Sequence, residues 1–207
     1  ARAFNQDIGG WNTSKVTNMN NMLRWTDNFN QDISGWDVSN VTSTYRMFSG
    51  SSFNIPIGSW NVSKVSNMQE MFSGAWAFNQ PLNNWNVSNV TNMNSMFDGA
   101  SSFNQPLNTW DVSNVTNMGN MFNYAFDFNQ DISGWDVSKV TTFRWMFRYC
   151  DAFNQPIGNW NTSSATNMAG MFEGTPFNQD ISSWDVSHVT NMESMFLLSS
   201  SFNQDIS

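Results

Sequence analysis

The chain has 207 residues, of which 12% are charged and 15% aromatic, with a net charge of −8. That length supports a sizeable core, the aromatic content excludes an intrinsically disordered chain, and the acidic balance makes nucleic acid a poor partner. No run of 18 apolar residues reads as a membrane-spanning helix, no secretion leader is recognisable, and the lone Cys150 rules out an intrachain disulfide.

Self-similarity sets the order of predicted elements. Phe-Asn pairs begin at Phe4, Phe29, Phe53, Phe78, Phe103, Phe128, Phe153, Phe177 and Phe202, in steps of 25 residues with two of 24. A Trp follows seven residues after each of the first eight: Trp11, Trp36, Trp60, Trp85, Trp110, Trp135, Trp160 and Trp184. Met-Phe pairs such as Met71-Phe72 and Met96-Phe97 close most units. The consensus is F-N-Q-[DP]-[IL]-x-x-W-[DN]-V-S-x-V-T-N-M-x-x-M-F, followed by four or five variable residues.

Within a unit, Trp36 and Val38 stand two apart, which predicts one face of a short strand. The spacing of Val90, Met93, Met96 and Phe97 predicts a short helix or 3-10 turn, with Thr91 as its N-cap. Gly50, Gly74, Gly99 and Gly174, two residues past the closing Phe, are expected at positive φ. The two short units each lose one residue after Met-Phe, which marks that stretch as an outer corner. One unit cannot bury its Phe, Trp, Val and Met side chains alone. The expected fold is therefore a repeat solenoid of about eight stacked coils over residues 1–207, with like side chains in rows and coils ~4.8 Å apart. The Asn after each Phe is expected to satisfy neighbouring turns, and the Asp/Asn column at 12, 37, 61, 86, 111, 136, 161 and 185 to accept turn hydrogen bonds. Met columns are expected as core filler. A longer array is expected on both sides of the segment.

The stretch Phe29-Asn-Gln-Asp-Ile-Ser-Gly-Trp-Asp-Val-Ser-Asn-Val-Thr42, with its closing Met-Phe, resembles the BspA-like leucine-rich-repeat surface proteins over essentially the whole chain. The resemblance implies leucine-rich-repeat-like coils, extracellular or cell-surface placement, roles in adhesion or recognition, and no catalytic residues.

The residues offer no catalytic constellation. His188 lies in a variable column held elsewhere by Lys15, Lys64, Lys139, Ser164 and Asn, and no His/Cys set has metal-ligand spacing. Asp7, Asp32, Asp131, Asp180 and Asp205 share their column with Pro56, Pro81, Pro106 and Pro156, which speaks against calcium. No Gly-rich phosphate loop is present. A non-enzyme without cofactor or metal is expected.

Function in such an array is sought where units differ. The departures are Arg24 and Trp25; Tyr45 and Arg46, after Thr44; Trp76; Tyr124 and Phe126; and Arg144, Trp145, Arg148 and Tyr149. Arg with Trp and Tyr is the composition of binding hot spots, and aromatic faces suit sugar rings. The expected partners are a protein or carbohydrate on another surface, or copies of the chain itself. N-x-[ST] triplets at Asn12, Asn40, Asn61, Asn86, Asn89, Asn114 and Asn161 are candidate glycosylation acceptors, although the repeat itself generates them. Two other readings are a self-associating structural fibre and ice binding through the Thr column of Thr17, Thr42, Thr91, Thr116, Thr141, Thr166 and Thr190, whose Thr the predicted helix caps account for more simply.

Overall fold

The computed structural model describes residues 2–206. Units one to eight are numbered here from Phe4, Phe29, Phe53, Phe78, Phe103, Phe128, Phe153 and Phe177. Each touches the next through one parallel bridge, in the row Asn18, Ser43, Asn67, Asn92, Asn117, Thr142, Asn167 and Asn191.

Among the described residues there is no helix and no extended strand, so the predicted strand-plus-helical-turn unit is corrected. Its place is taken by a ribbon of turns. In unit one the amides of Met19, Asn21, Leu23 and Trp25 donate to carbonyls of Ser43, Tyr45, Met47 and Ser49 in unit two, at 3.1, 2.8, 2.9 and 2.8 Å. The amides between them turn inward: Met22 donates to Met19 at 3.3 Å and Arg24 to Asn21 at 3.2 Å. Each unit holds two residues in the left-handed region four positions apart, such as Asn21 and Trp25, Arg46 and Gly50, and Glu70 and Gly74. A helix turns every amide back along its own axis. Two left-handed residues per unit interrupt that winding and release every second amide to the neighbouring unit.

This explains both misleading spacings. Trp36 and Val38 face the same way because they lie in successive turns: Trp36 N–H donates to Ile33 O at 3.1 Å, and Val41 N–H to Val38 O at 2.9 Å. Val90, Met93, Met96 and Phe97 point inward from the turn ribbon, with Met96 N–H on Met93 O at 3.1 Å. Thr91 caps nothing. Its hydroxyl donates to Ser66 O at 3.3 Å in the preceding unit, and Thr116, Thr141, Thr166 and Thr190 repeat the bond along their column. The positive φ expected at Gly50, Gly74, Gly99 and Gly174 is present, between 67° and 70°.

The core is a set of side-chain rows. Trp36 and Trp60 stack at 6.4 Å with planes 7° apart, and Trp110 and Trp135 at 6.5 Å. The Phe of each Met-Phe pair stacks on its counterpart at 5.5 to 6.0 Å, as in Phe48–Phe72 and Phe147–Phe172. It also packs against the Phe that opens the next unit, as Phe122 does on Phe128 at 3.9 Å. Offset ring stacks of this kind contribute about 0.5–1.5 kcal/mol each beyond the area they bury. Val and Met rows fill the remainder, with Val65, Met68, Val90, Met93, Met96 and Met118 fully buried.

Polar rows tie unit to unit. Asn5 Oδ1 accepts from the Asn30 amide at 3.1 Å and from Gln31 Nε2 at 2.9 Å, and Asn54, Asn79 and Asn104 repeat this. Each buried indole N–H reaches an Ile or Leu carbonyl of the preceding unit, as Trp110 does on Leu82 O at 3.0 Å. The Asp/Asn column accepts turn hydrogen bonds as expected: Asp37 Oδ1 takes the Ser39 amide at 3.0 Å.

Candidate functional site

The irregular residues occupy the outer positions of the turn ribbon, and the structure sorts them into separate groups. In units one and two, Arg24 lies 5.6 Å over the Trp25 ring, and that ring covers Gly50. Arg46 stacks on Tyr45 at 4.7 Å and forms a bidentate pair with Glu70, at 2.6 and 2.8 Å. Trp76 projects from the corner of unit three and is 60% exposed.

The remaining six residues converge. Arg144 lies 3.8 Å over the Trp145 ring, and Arg148 lies over Trp145, Tyr149 and Tyr124 at 5.4, 4.6 and 5.5 Å. Arg148 also donates to Tyr124 Oη at 3.2 Å and to both carboxylate oxygens of Glu173, at 3.0 and 3.2 Å. Tyr124 stacks on Tyr149 at 5.1 Å and meets Phe126 edge-on at 6.1 Å. One cluster thus spans units five to seven, with Tyr124 and Phe126 exposed and Arg148 and Tyr149 half-buried. Both Arg46 and Arg148 have their guanidinium pKa raised, first by hydrogen bonding to their Glu partners.

Backbone conformation makes this cluster unusual. Trp25, Tyr124 and Tyr149 stand in the column where units two, three, four and seven have Gly, at φ of 56°, 54° and 50°. Trp145 is left-handed in the other such column, at 57°. A left-handed residue with a Cβ costs on the order of 1 kcal/mol. Room for the rings comes from the next unit: Trp145 covers Gly170, and Tyr149 covers Gly174. A Cβ at either glycine would run into the ring above it.

Sequence reasoning missed Glu70, Glu173 and Gly170. Glu173 follows Arg148 by one 25-residue step, and Glu70 follows Arg46 by one 24-residue step. An opposite charge one repeat downstream was the signal available.

The acceptor asparagines divide in two. Asn40, Asn89 and Asn114 commit Nδ2, the atom a glycan would take, to carbonyls of Ser14, Ser63 and Ser88 at 2.9, 2.7 and 2.9 Å. Glycosylation there would break a bond between units. Asn12, Asn61, Asn86 and Asn161 are exposed, and use Oδ1 to accept the amide of the Ser two residues on.

His188 is exposed, with Nδ1 3.2 Å from Ser187 Oγ. Buried Cys150 donates Sγ–H to Ala125 O at 3.0 Å, and burial pushes its thiol pKa well up. Among the described residues no cluster of three His, Cys, Asp or Glu is placed to hold a metal, and no helix is long and apolar enough to cross a membrane.

No curated protein and no solved structure matches the chain. A family model described as "Mycoplasma protein of unknown function, DUF285" matches residues 1–84, 50–147, 74–175 and 128–207, overlapping segments that run the length of the chain. With these overlapping matches and the unit-to-unit bridges together, this is a repeat protein, and it belongs to the DUF285 family.

Proposed function

We propose that the chain is a non-enzymatic recognition module, a leucine-rich-repeat-like solenoid displayed outside the cell or at its surface, that binds through the Tyr124–Phe126–Arg144–Trp145–Arg148–Tyr149 cluster. One observation carries the reading: residues that depart from the repeat in two units converge on a single contacting cluster, held by Glu173 of a third. Neutral drift would scatter such residues around the unit. Here Tyr124 and Tyr149 keep bulky rings at a left-handed position where four other units have Gly.

The spacing of the rows supports a curved solenoid. Trp rings repeat at 6.4 to 6.5 Å, whereas the hydrogen-bonded ribbon repeats at the ~4.8 Å of paired backbones. A stack wider on its Trp side bends towards the ribbon, as the strands of a horseshoe line its inner face. The cluster belongs to that inner edge, since Trp145 and Tyr149 donate backbone N–H groups to Ala169 and Glu173 at 2.8 Å. Cell-surface placement rests on the resemblance to BspA-like proteins.

A binding assay of the purified chain on immobilised matrix proteins and glycans tests the reading. Tyr124 and Phe126 are exposed, so Tyr124→Ser with Phe126→Ser removes ring surface and leaves the core alone. Loss of about tenfold or more in affinity with an unchanged circular dichroism spectrum is expected. A chain that binds no surface, or binds equally after the substitution, refutes it.

The second reading is a self-associating fibre, in which the unit-to-unit rows that join neighbouring coils also join one chain to the next. Concentration-independent light scattering of a monomer would count against it.

A further inference from the structure

Unit seven breaks the pattern of its neighbours in the opposite sense from unit six. The two outer positions of the ribbon carry Arg144-Trp145 in unit six and Glu193-Ser194 in unit eight, but Ala169-Gly170 in unit seven. Unit seven contributes no long side chain of its own there: the Trp145 ring covers Gly170, Ala169 is buried, and a groove remains between Arg144-Trp145 and Glu193-Ser194, bordered also by Asn167 and Asn191 of the bridge row. We infer that this groove is a subsite for one neutral sugar unit of a saccharide. The inference rests on the recognition reading above and extends it to a ligand class.

The chemistry of the walls selects the ligand. Among the described residues neither Arg144 nor Glu193 has an opposite charge within ion-pair distance, while Glu173 at the groove's edge is already neutralised by Arg148. The lining therefore holds one free cation and one free anion, which together favour a ligand without net charge. Asn167 and Asn191 use Oδ1 to accept the amides of Ala169 and Glu193 at 3.0 and 2.9 Å. That fixes each side-chain amide with its NH2 group as the remaining donor. Guanidinium and amide donors together with a carboxylate acceptor and the Ser194 hydroxyl suit hydroxyl groups, which both give and accept hydrogen bonds. The Trp145 indole stands beside them, with Arg144 over its ring and Gly170 beneath its edge, so it shapes the wall and is not an open stacking face. A protein ligand would instead need a buried apolar anchor pocket, and this lining is mostly polar.

The test is a panel of short immobilised oligosaccharides of glucose, mannose, galactose and N-acetylglucosamine, probed with the full chain. The strongest binder is then titrated in solution. At least one is expected to bind, and Glu193→Gln and Ala169→Gln are each expected to weaken it by about tenfold. Glu193 is exposed, so Glu193→Gln is expected to keep the wild-type melting temperature; Ala169 is buried, so the melting temperature of Ala169→Gln, a residue native to that column at Gln69, is measured beside its affinity. A blank panel at millimolar sugar, or wild-type affinity in both variants, overturns the assignment. A blank panel alongside capture of an immobilised protein that depends on Tyr124 and Phe126 refutes the sugar subsite and leaves the recognition reading standing. Failure of both assays removes both.

Discussion

Thr44 shows how a single residue can be read against its column. The same position is Met in units one, three, four, five, seven and eight, and Phe143 in unit six. Thr44 is buried, and its Oγ1 is enclosed without a hydrogen-bond partner. An unpaired buried hydroxyl costs about 1–3 kcal/mol. Thr44→Met restores the row and removes the orphan, so it is expected to raise unfolding stability by about 1–2 kcal/mol. Urea titration of both chains checks this, and a destabilised variant would mean the site is too small for the column's usual side chain. The same column logic made the candidate site partly legible. Arg144, Trp145, Arg148 and Tyr149 stood out because they break the repeat. Which of the irregular residues meet was not legible, because that depends on a left-handed backbone that throws Trp145 and Tyr149 over Gly170 and Gly174.

At the scale of the turn, the polar half of each unit predicts an acid-sensitive fold. Asp32, Asp37, Asp111, Asp131 and Asp136 accept hydrogen bonds from the side chain and the amide of the Ser two residues on, which hold their pKa below the ordinary carboxylate value. Asp180 and Asp185 are lowered by the same kind of turn. The folded chain therefore binds fewer protons than the unfolded one at these sites, and their contribution is present above pH ~4 and lost as pH falls through the lowered values. Asp98 works in the opposite direction. Burial pushes its pKa up to about 6 against the Asn123 hydrogen bond, which lowers it, and nearby Glu70 adds to the rise. Its contribution is complete below the unfolded value near 4 and lost as pH rises through about 6. Protonated, its hydroxyl can supply Asn123 Oδ1, which is otherwise enclosed without a partner. Stability is thus expected to peak near pH ~4 and to fall as pH rises to ~6, and Asp98→Asn to flatten that fall. Denaturant midpoints across that range decide it, and an unchanged slope in the variant would remove Asp98 as the source. These turns also show why the local structure was misread. The Asp-x-Ser turns mimic strand alternation at Trp36 and Val38, and the left-handed ribbon mimics helical spacing at Val90 to Phe97. Periodicity reports which side chains point inward, and two different backbones can produce the same list.

For the whole molecule, the coupling between units matters more than any unit. Side-chain hydrogen bonds that cross between units span 22 to 28 residues, and the closing Phe row runs from Phe48 through Phe172 to Phe196, with Leu23 in its place in unit one. The row pattern was legible from sequence for this reason: a repeat that cannot bury its own Phe, Trp and Met must align them with its neighbours. In a stack of this kind stability is close to a sum of unit terms and nearest-neighbour interface terms. Each added interface brings an indole–carbonyl bond, four or more ring stacks and a strip of backbone hydrogen bonds, and each added unit also carries the entropy of ordering its residues. Because the repeat persists, the interface term must outweigh that cost. Duplicating unit four, residues 78–102, directly before Phe103 preserves every column across both junctions. The extended chain is expected to unfold in one transition with a higher urea midpoint and an m-value larger by about an eighth, in proportion to the 25 residues added to 207. A second, separate transition, or an unchanged midpoint, would show that neighbouring units fold without support from one another.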